Sequence, residues 1–270
     1  MLSQRRQEYV MEDDEVRRPP IALTLLESRA IGELCLYAWM YPILNLCPRG
    51  DGHPVLVLPG FLASGRSTAP MRHLLKRVGY QGHRWKLGRN LGPSRVLLEQ
   101  VMERVHELRH RYGSKVSLIG WSLGGFYARE LAWMAPDDVR QVITLGTPFR
   151  HYRSTAATHL YTTINGHEDE HIDPEIIARS EQPPPVPCSS IYTRTDGVVP
   201  WQCSLDLDSQ HTENIRVHGS HSGLGHNPLA LWAVMDRLAL PEDEWTPFDR
   251  RDHPLWPFPE TDHIKVSADG

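Results

Sequence analysis

Residues 115–126 read KVSLIGWSLGGF, and within them Gly120-Trp121-Ser122-Leu123-Gly124 spells G-x-S-x-G. As five letters the pattern is common, so its setting carries the information. Val116–Ile119 is a short apolar run of strand character. Leu123–Ala135 has helical spacing, with Phe126, Leu131 and Met134 facing inward and Pro136 stopping it. A serine on a sharp strand-to-helix turn sits in a strained backbone conformation, and glycines two residues to either side are needed where a Cβ would collide with neighbouring backbone. The helix would place its first amides and the positive end of its dipole beneath the serine, where an oxyanion would form. Ser122 is a candidate nucleophile on these grounds.

Working outward, short apolar runs alternate with helical patterns from Pro54 onward. Val55–Leu58, Val116–Ile119, Val139–Leu145, Ser189–Thr193 and Asn214–His218 read as strands. Thr68–Val78, Ser94–Tyr112 (ended by Gly113), Leu123–Ala135 and Leu229–Leu240 read as helices. Strand–helix alternation with wholly apolar strands predicts an α/β fold, a mostly parallel sheet with helices on both faces. The alternation lapses between Pro148 and Pro187, and so long a structureless loop is unexpected in a compact domain, so residues 149–187 are expected to form a small helical cap. Residues 54–240 then form the core with its cap insertion. Residues 1–53 are an N-terminal extension whose Ile21–Leu46 stretch reads as a buried or half-buried helix broken near Pro42, and 241–270 are a C-terminal tail.

A serine hydroxyl needs a base to take its proton and an acid to orient that base. Asp196-Gly197 follows the strand Ser189–Thr193 as a tight turn that presents a carboxylate at the sheet edge where the elbow lies; Asp206 and Asp208 are the alternatives. The base is sought after the last strand, in HGSHSGLGHNP, where His221 and His226 both qualify. Asn227-Pro228 looks like an N-cap with proline at the first helical position, which ties the direction of His226 to the helix start, whereas Gly219, Gly223 and Gly225 leave His221 free to be aimed. The oxyanion donors would be the amides of Leu123, next to the serine, and Phe61, in the Pro59-Gly60-Phe61-Leu62 turn after VLVL.

Taken together, VLVLPGF, SLIGWSLGGFYARELA, VITLGTPF, IYTRTDGVVPW and GSHSGLGHNP resemble the serine esterases and lipases of the α/β-hydrolase superfamily over residues 54–240. The order Ser122, Asp196, His221 is that superfamily's order. The resemblance implies an α/β-hydrolase fold, an acyl-enzyme mechanism on carboxylic esters, His221 rather than His226 as base, and a cap that shapes the acyl pocket. Leu62, Trp121, Phe149 and Val198 are expected to line that pocket. Pro59 stands where many lipases have a histidine before the oxyanion glycine, and Trp121 where histidine commonly precedes the serine, which bears on substrate more than on reaction class. An acyltransferase using the same triad with an alcohol acceptor is the alternative, and a non-catalytic binding protein a third reading.

Composition narrows the classes further. With 270 residues, 40% hydrophobic and 23% charged, the chain is globular in type and can bury about 70–75% of its unfolded surface. A net charge of −4 carries no footprint of a nucleic-acid binder. The four cysteines form no CxxC, and Cys35 and Cys47, about 18 Å apart if on one helix, are beyond bridging distance, so free thiols are expected. The N-terminus mixes both charge signs without an apolar run, and residues 34–46 are too short to span a bilayer, so a cytoplasmic chain without membrane insertion is expected, with peripheral contact left open. His167-Glu168-Asp169-Glu170-His171 matches HExxH, but Asn165-Gly166 before it and Asp173-Pro174 after it predict a solvated loop; no metal or cofactor is expected. Residues 66–115 carry 12 basic and 3 acidic side chains and 167–181 carry 6 acidic and 1 basic, read as two solvated faces; the alternative is a basic face that meets an anionic surface or partner and an acidic cap that biases entry against anionic substrates, and the expected substrate is an uncharged, apolar small-molecule ester.

Overall fold

The computed structural model describes residues 8–9, 16, 18–92, 94–150 and 174–264. The strands are β1 (Glu8–Tyr9), β2 (Pro54–Leu58), β3 (Gln81–Arg84), β4 (Val116–Trp121), β5 (Val139–Leu145), β6 (Cys188–Tyr192), β7 (Thr212–Arg216) and β8 (His263–Ile264). The helices are α1 (Ile21–Leu25), α2 (Ala30–Leu44), α3 (Ala69–Val78), α4 (Arg95–Tyr112), α5 (Leu123–Met134), α6 (Pro174–Ser180) and α7 (Pro228–Leu238). Six strands make one all-parallel sheet in the order β3-β2-β4-β5-β6-β7, and β1 pairs with β8 apart from it. Parallel pairing sets the carboxyl ends of β2, β4, β5, β6 and β7 along one edge, where ligands bind in open α/β sheets.

The sheet is covered on both faces, which is why its strands are apolar without alternation. Val55 and Val57 point to one face with Ile119, Ile143, Ile191 and Ile215, against α3 and α7. Leu56 and Leu58 point to the other with Leu118 and Val142, against α4 and α5. The caps follow the sequence signals. Ser94 accepts from Leu97 N at the start of α4, Gly113 closes it with φ 68°, and Asn227 caps α7 with Pro228 next to it.

Three expectations are corrected. Strand β3 was not expected, because QGHR has no apolar run; it is an edge strand paired to β2 alone and needs little apolar surface. The later strands begin one and two residues earlier than expected, at Cys188 and Thr212. The N-terminal helix breaks not near Pro42 but at Leu26–Arg29, a 3₁₀ turn, and Pro42 sits in the last turn of α2, which runs only two residues beyond it. That segment is also less buried than its composition suggests. It is apolar all round but packs through one side on α7 and the core, where Leu44 is buried, leaving Ile21, Ile31 and Trp39 more than 70% exposed. Cys47 falls beyond the helix, and all four cysteines are free. Among the described residues no helix is long and apolar enough to cross a membrane.

Most of the expected cap, residues 151–173, lies outside the described residues, as does His167–His171. The described part contains α6, which is fastened to α5 by an ion pair between Arg179 and Glu130. Beneath it Arg129 and Asp206 form an ion pair with both side chains fully buried, and Arg129 also donates to the carbonyls of Ser180 and Gln182. Asp206→Ala strands that guanidinium without its counter-charge, and a loss of about 3–5 kcal/mol in unfolding free energy is expected by urea titration.

Candidate active site

Ser122 joins β4 to α5 with φ 53° and ψ −125°, a left-handed conformation that a non-glycine residue adopts at a cost of order 1–3 kcal/mol. Neighbouring contacts hold it there: Ser122 N donates to Leu145 O (2.8 Å), while its carbonyl accepts from Gly125 N (2.9 Å) and Thr147 Oγ1 (2.9 Å). The two flanking glycines are sterically required. A Cβ on Gly120 would overlap Gly125, and one on Gly124 would overlap the carbonyl of Leu58.

His221 follows β7 and Asp196 follows β6, and the two meet at His221 Nδ1···Asp196 Oδ2, 2.6 Å, with both side chains buried. The other oxygen of Asp196 accepts from Val198 N (2.8 Å) and Val199 N (2.7 Å), which fixes the carboxylate. With Nδ1–H donated to Asp196, Nε2 of a neutral His221 is the acceptor. Burial alone would lower the His221 pKa, but the charge of Asp196 and its hydrogen bond outweigh burial, and Glu27 adds to them, so the net shift is upward. The pair abuts the end of β5: a Cβ on Gly146 (φ 55°) would stand 3.0 Å from His221 Nδ1 and 3.2 Å from Asp196 Oδ2. Gly146 is the residue after the Leu145 carbonyl that holds Ser122, and Trp121 Nε1 donates to His221 O (3.1 Å). The serine turn and the His221–Asp196 pair thus both lie against Leu145–Gly146 at the end of β5.

The turn after β2 comes close to the serine, since a Cβ on Gly60 would lie 3.1 Å from Ser122 Cβ and 3.8 Å from Ser122 Oγ. Phe61 follows in that turn, and Leu123 is the first residue of α5, whose leading amides have no acceptor within the helix. Buried Asn90 shapes the turn. Its Nδ2 donates to Pro59 O (2.9 Å), its carbonyl accepts from Leu62 N (2.7 Å), and Tyr127 Oη donates to its Oδ1 (3.1 Å). Leu62 takes φ 58° there. Of the other expected pocket residues, Val198 is half-buried beside Asp196. Trp121 lies against Gly225, and Phe149 is buried with the Arg129 guanidinium 3.9 Å above its ring.

The alternatives fall elsewhere. Asp206 is the partner of Arg129, Asp208 bonds His263 (3.2 Å), and His226 Nε2 donates to Ala30 O (2.9 Å). A second aspartate–histidine–serine string exists, Asp51–His53–Ser117, with His53 Nε2···Ser117 Oγ at 2.8 Å. It lies toward the amino ends of β2 and β4, and Ser117 is fully buried within strand β4 with no helix start behind it, so it is core structure.

Sequence reading missed the residues that surround the histidine loop from outside. Glu27 Oε1 accepts from Gly197 N (2.9 Å) and His221 N (3.0 Å), and its Oε2 from Ser222 N (2.7 Å). Glu33 accepts from Ser220 N (2.8 Å) and Asn227 Nδ2 (2.9 Å). Burial tends to raise the Glu27 pKa, yet its hydrogen bonds from Ser222, Gly197 and His221 outweigh that and hold it below the ordinary carboxylate value. Two carboxylates and one arginine, Glu27, Arg29 and Glu33, in an otherwise apolar stretch were the available signal.

No known family's sequence profile matches the chain, and no curated protein sequence matches it. Solved structures do. A structure from the work on LipS and LipT, two metagenome-derived lipolytic enzymes, superimposes with a TM-score of 0.54 at 17% identity, over 72% of this chain and 96% of its own. The pyrethroid hydrolase of Sphingobium faniae JZ-2 gives 0.51 at 19%, over 71% and 99%. Aspergillus fumigatus lipase B gives 0.50 at 17%, over 72% of this chain but 54% of its own length. The chain has the α/β-hydrolase fold.

Proposed function

We propose that the chain is a serine hydrolase that cleaves uncharged carboxylic esters through an acyl-enzyme intermediate. The observation that carries this reading is a strained, helix-backed Ser122 bonded to Leu145 O, with the His221–Asp196 pair packed against the next residue, Gly146. Ser122 Oγ attacks the ester carbonyl as His221 Nε2 takes its proton, with the amides of Phe61 and Leu123 receiving the oxyanion. The C–O bond to the alcohol then breaks and the imidazolium returns the proton to the leaving oxygen. Water, deprotonated by His221, attacks the acyl carbon, and the acid departs as Ser122 recovers its proton. The acidic stretch 167–181 and the apolar character of Leu62 and Val198 support an uncharged ester. Acyltransfer is the same chemistry with an alcohol in place of water. The test is turnover of p-nitrophenyl esters in water with and without added primary alcohols. Hydrolysis without alcohol, with stoichiometric fluorophosphonate labelling of Ser122, is the expected result. Release of p-nitrophenol that requires the alcohol would make the chain a transferase, and absence of labelling would remove the serine mechanism.

A further inference from the structure

The catalytic core leaves its acid and base on two separate loops, after β6 and after β7, and side chains from the segment preceding the core bridge them. Glu27 is the centre of the bridge. One carboxylate receives three backbone N–H groups: that of Gly197, next to Asp196, and those of His221 and Ser222, 170 to 195 residues further along the chain. Thr24 Oγ1 donates to Gly197 O (2.8 Å) and Arg29 Nη2 to Gly219 O (2.8 Å), so both loops are also gripped through carbonyls. Glu33, a turn and a half later, takes Ser220 N and the Asn227 side chain, which joins the same loop to the start of α7. The approach is close enough that a Cβ on Gly197 would overlap the Leu23 carbonyl and one on Gly223 would overlap the Glu33 carboxylate.

We infer that Glu27 is a positioning residue for the reaction proposed above: it fixes the distance between the Asp196 and His221 loops, and its charge, held against the His221 backbone, favours the imidazolium that forms when Ser122 attacks. The inference rests on that reading of the triad. Three N–H donors converging on one carboxylate are charge-assisted bonds, stronger than the neutral bonds a loop makes to itself or to water. The charged groups around His221 are Asp196, from the loop after β6, Glu27 on its backbone N–H, and Glu33 and Arg29 on the neighbouring Ser220 N–H and Gly219 carbonyl; His226 is bonded to Ala30 O. Asp196 is the nearest anion, and Glu27 the second whose field raises the His221 pKa.

Glu27→Gln tests this, because it keeps the shape, removes the charge and sets an NH₂ against one of the loop amides. In a Ser122→Ala background, NMR titration of the His221 imidazole is expected to show its pKa falling by about half a unit or more. In the parent enzyme, kcat/KM per fluorophosphonate-titrated site is expected to fall about tenfold, with its acidic limb moved to lower pH as the base becomes harder to protonate. Glu27→Asp, which keeps a charge but draws it back by one methylene, is expected to lose rate with a smaller movement of the limb; if Glu27→Gln does not fold, this variant decides. An unchanged His221 titration and an unchanged per-site rate overturn the inference. A lower active fraction with normal rate and normal limb would make Glu27 a purely structural anchor and overturn it as well. If wild type neither hydrolyses esters nor labels at Ser122, the functional reading falls, and the NMR titration still decides whether Glu27 acts on His221.

Discussion

Ser122→Ala is expected to reduce ester turnover by four orders of magnitude or more while leaving the protein folded. A nucleophile that starts a covalent pathway has no partial substitute, and single removals from a cooperating triad cost nearly as much as removing all of it. The contacts that hold the elbow are made by backbone atoms of Ser122, to Leu145 O, Gly125 N and Thr147 Oγ1, so the alanine variant retains them. Alanine meets the same left-handed φ as serine, so stability should shift by less than about 1 kcal/mol. Steady-state turnover with thermal unfolding as the control checks this. A folded variant keeping more than a few per cent of activity would place the nucleophile elsewhere.

The second large effect separates the two histidines. His221→Ala removes the side chain bonded to Asp196 and is expected to match Ser122→Ala in lost rate, about 10⁴-fold or more. His226→Ala removes a hydrogen bond to the carbonyl of Ala30 in α2, so it is expected to cost about 0.5–1.5 kcal/mol of stability and less than tenfold in rate. The wild-type pH profile carries the same signature. A general base must be neutral, and Asp196 and Glu27 raise the His221 pKa, so activity should rise with pH through a limb lying above 6.5. A deep loss in folded His226→Ala with a mild one in His221→Ala would exchange their roles.

What could be read ahead of the structure was chemistry expressed over short spans. The elbow is an apolar strand, two sterically required glycines and a helix start, all within residues 115–126. Asp196 was legible because Asp-Gly marks a turn at a strand end, and Asn227-Pro228 because capping is local. Sequence leaves Asp206 beside Asp196 as an alternative, because the Arg129 ion pair that occupies Asp206 involves a partner 77 residues away. Edge strand β3 was missed because an edge position relaxes the apolar requirement by which strands are recognised.

The sequence by itself determined the alternation of strands and helices from Pro54 onward, the serine turn and the loops that carry Asp196 and His221, because strand period, helix period and turn chemistry are each set by neighbours a few residues apart. Tertiary structure alone decided that Asn90 and Tyr127 shape the turn beside the serine, that His226 bonds Ala30 instead of the carboxylate, and that Glu27 and Glu33 span the two loops. Those contacts join groups tens to nearly two hundred residues apart, and no periodicity along the chain encodes which distant amide a buried carboxylate will find; only the folded packing of the N-terminal segment on the sheet edge brings them within hydrogen-bond reach.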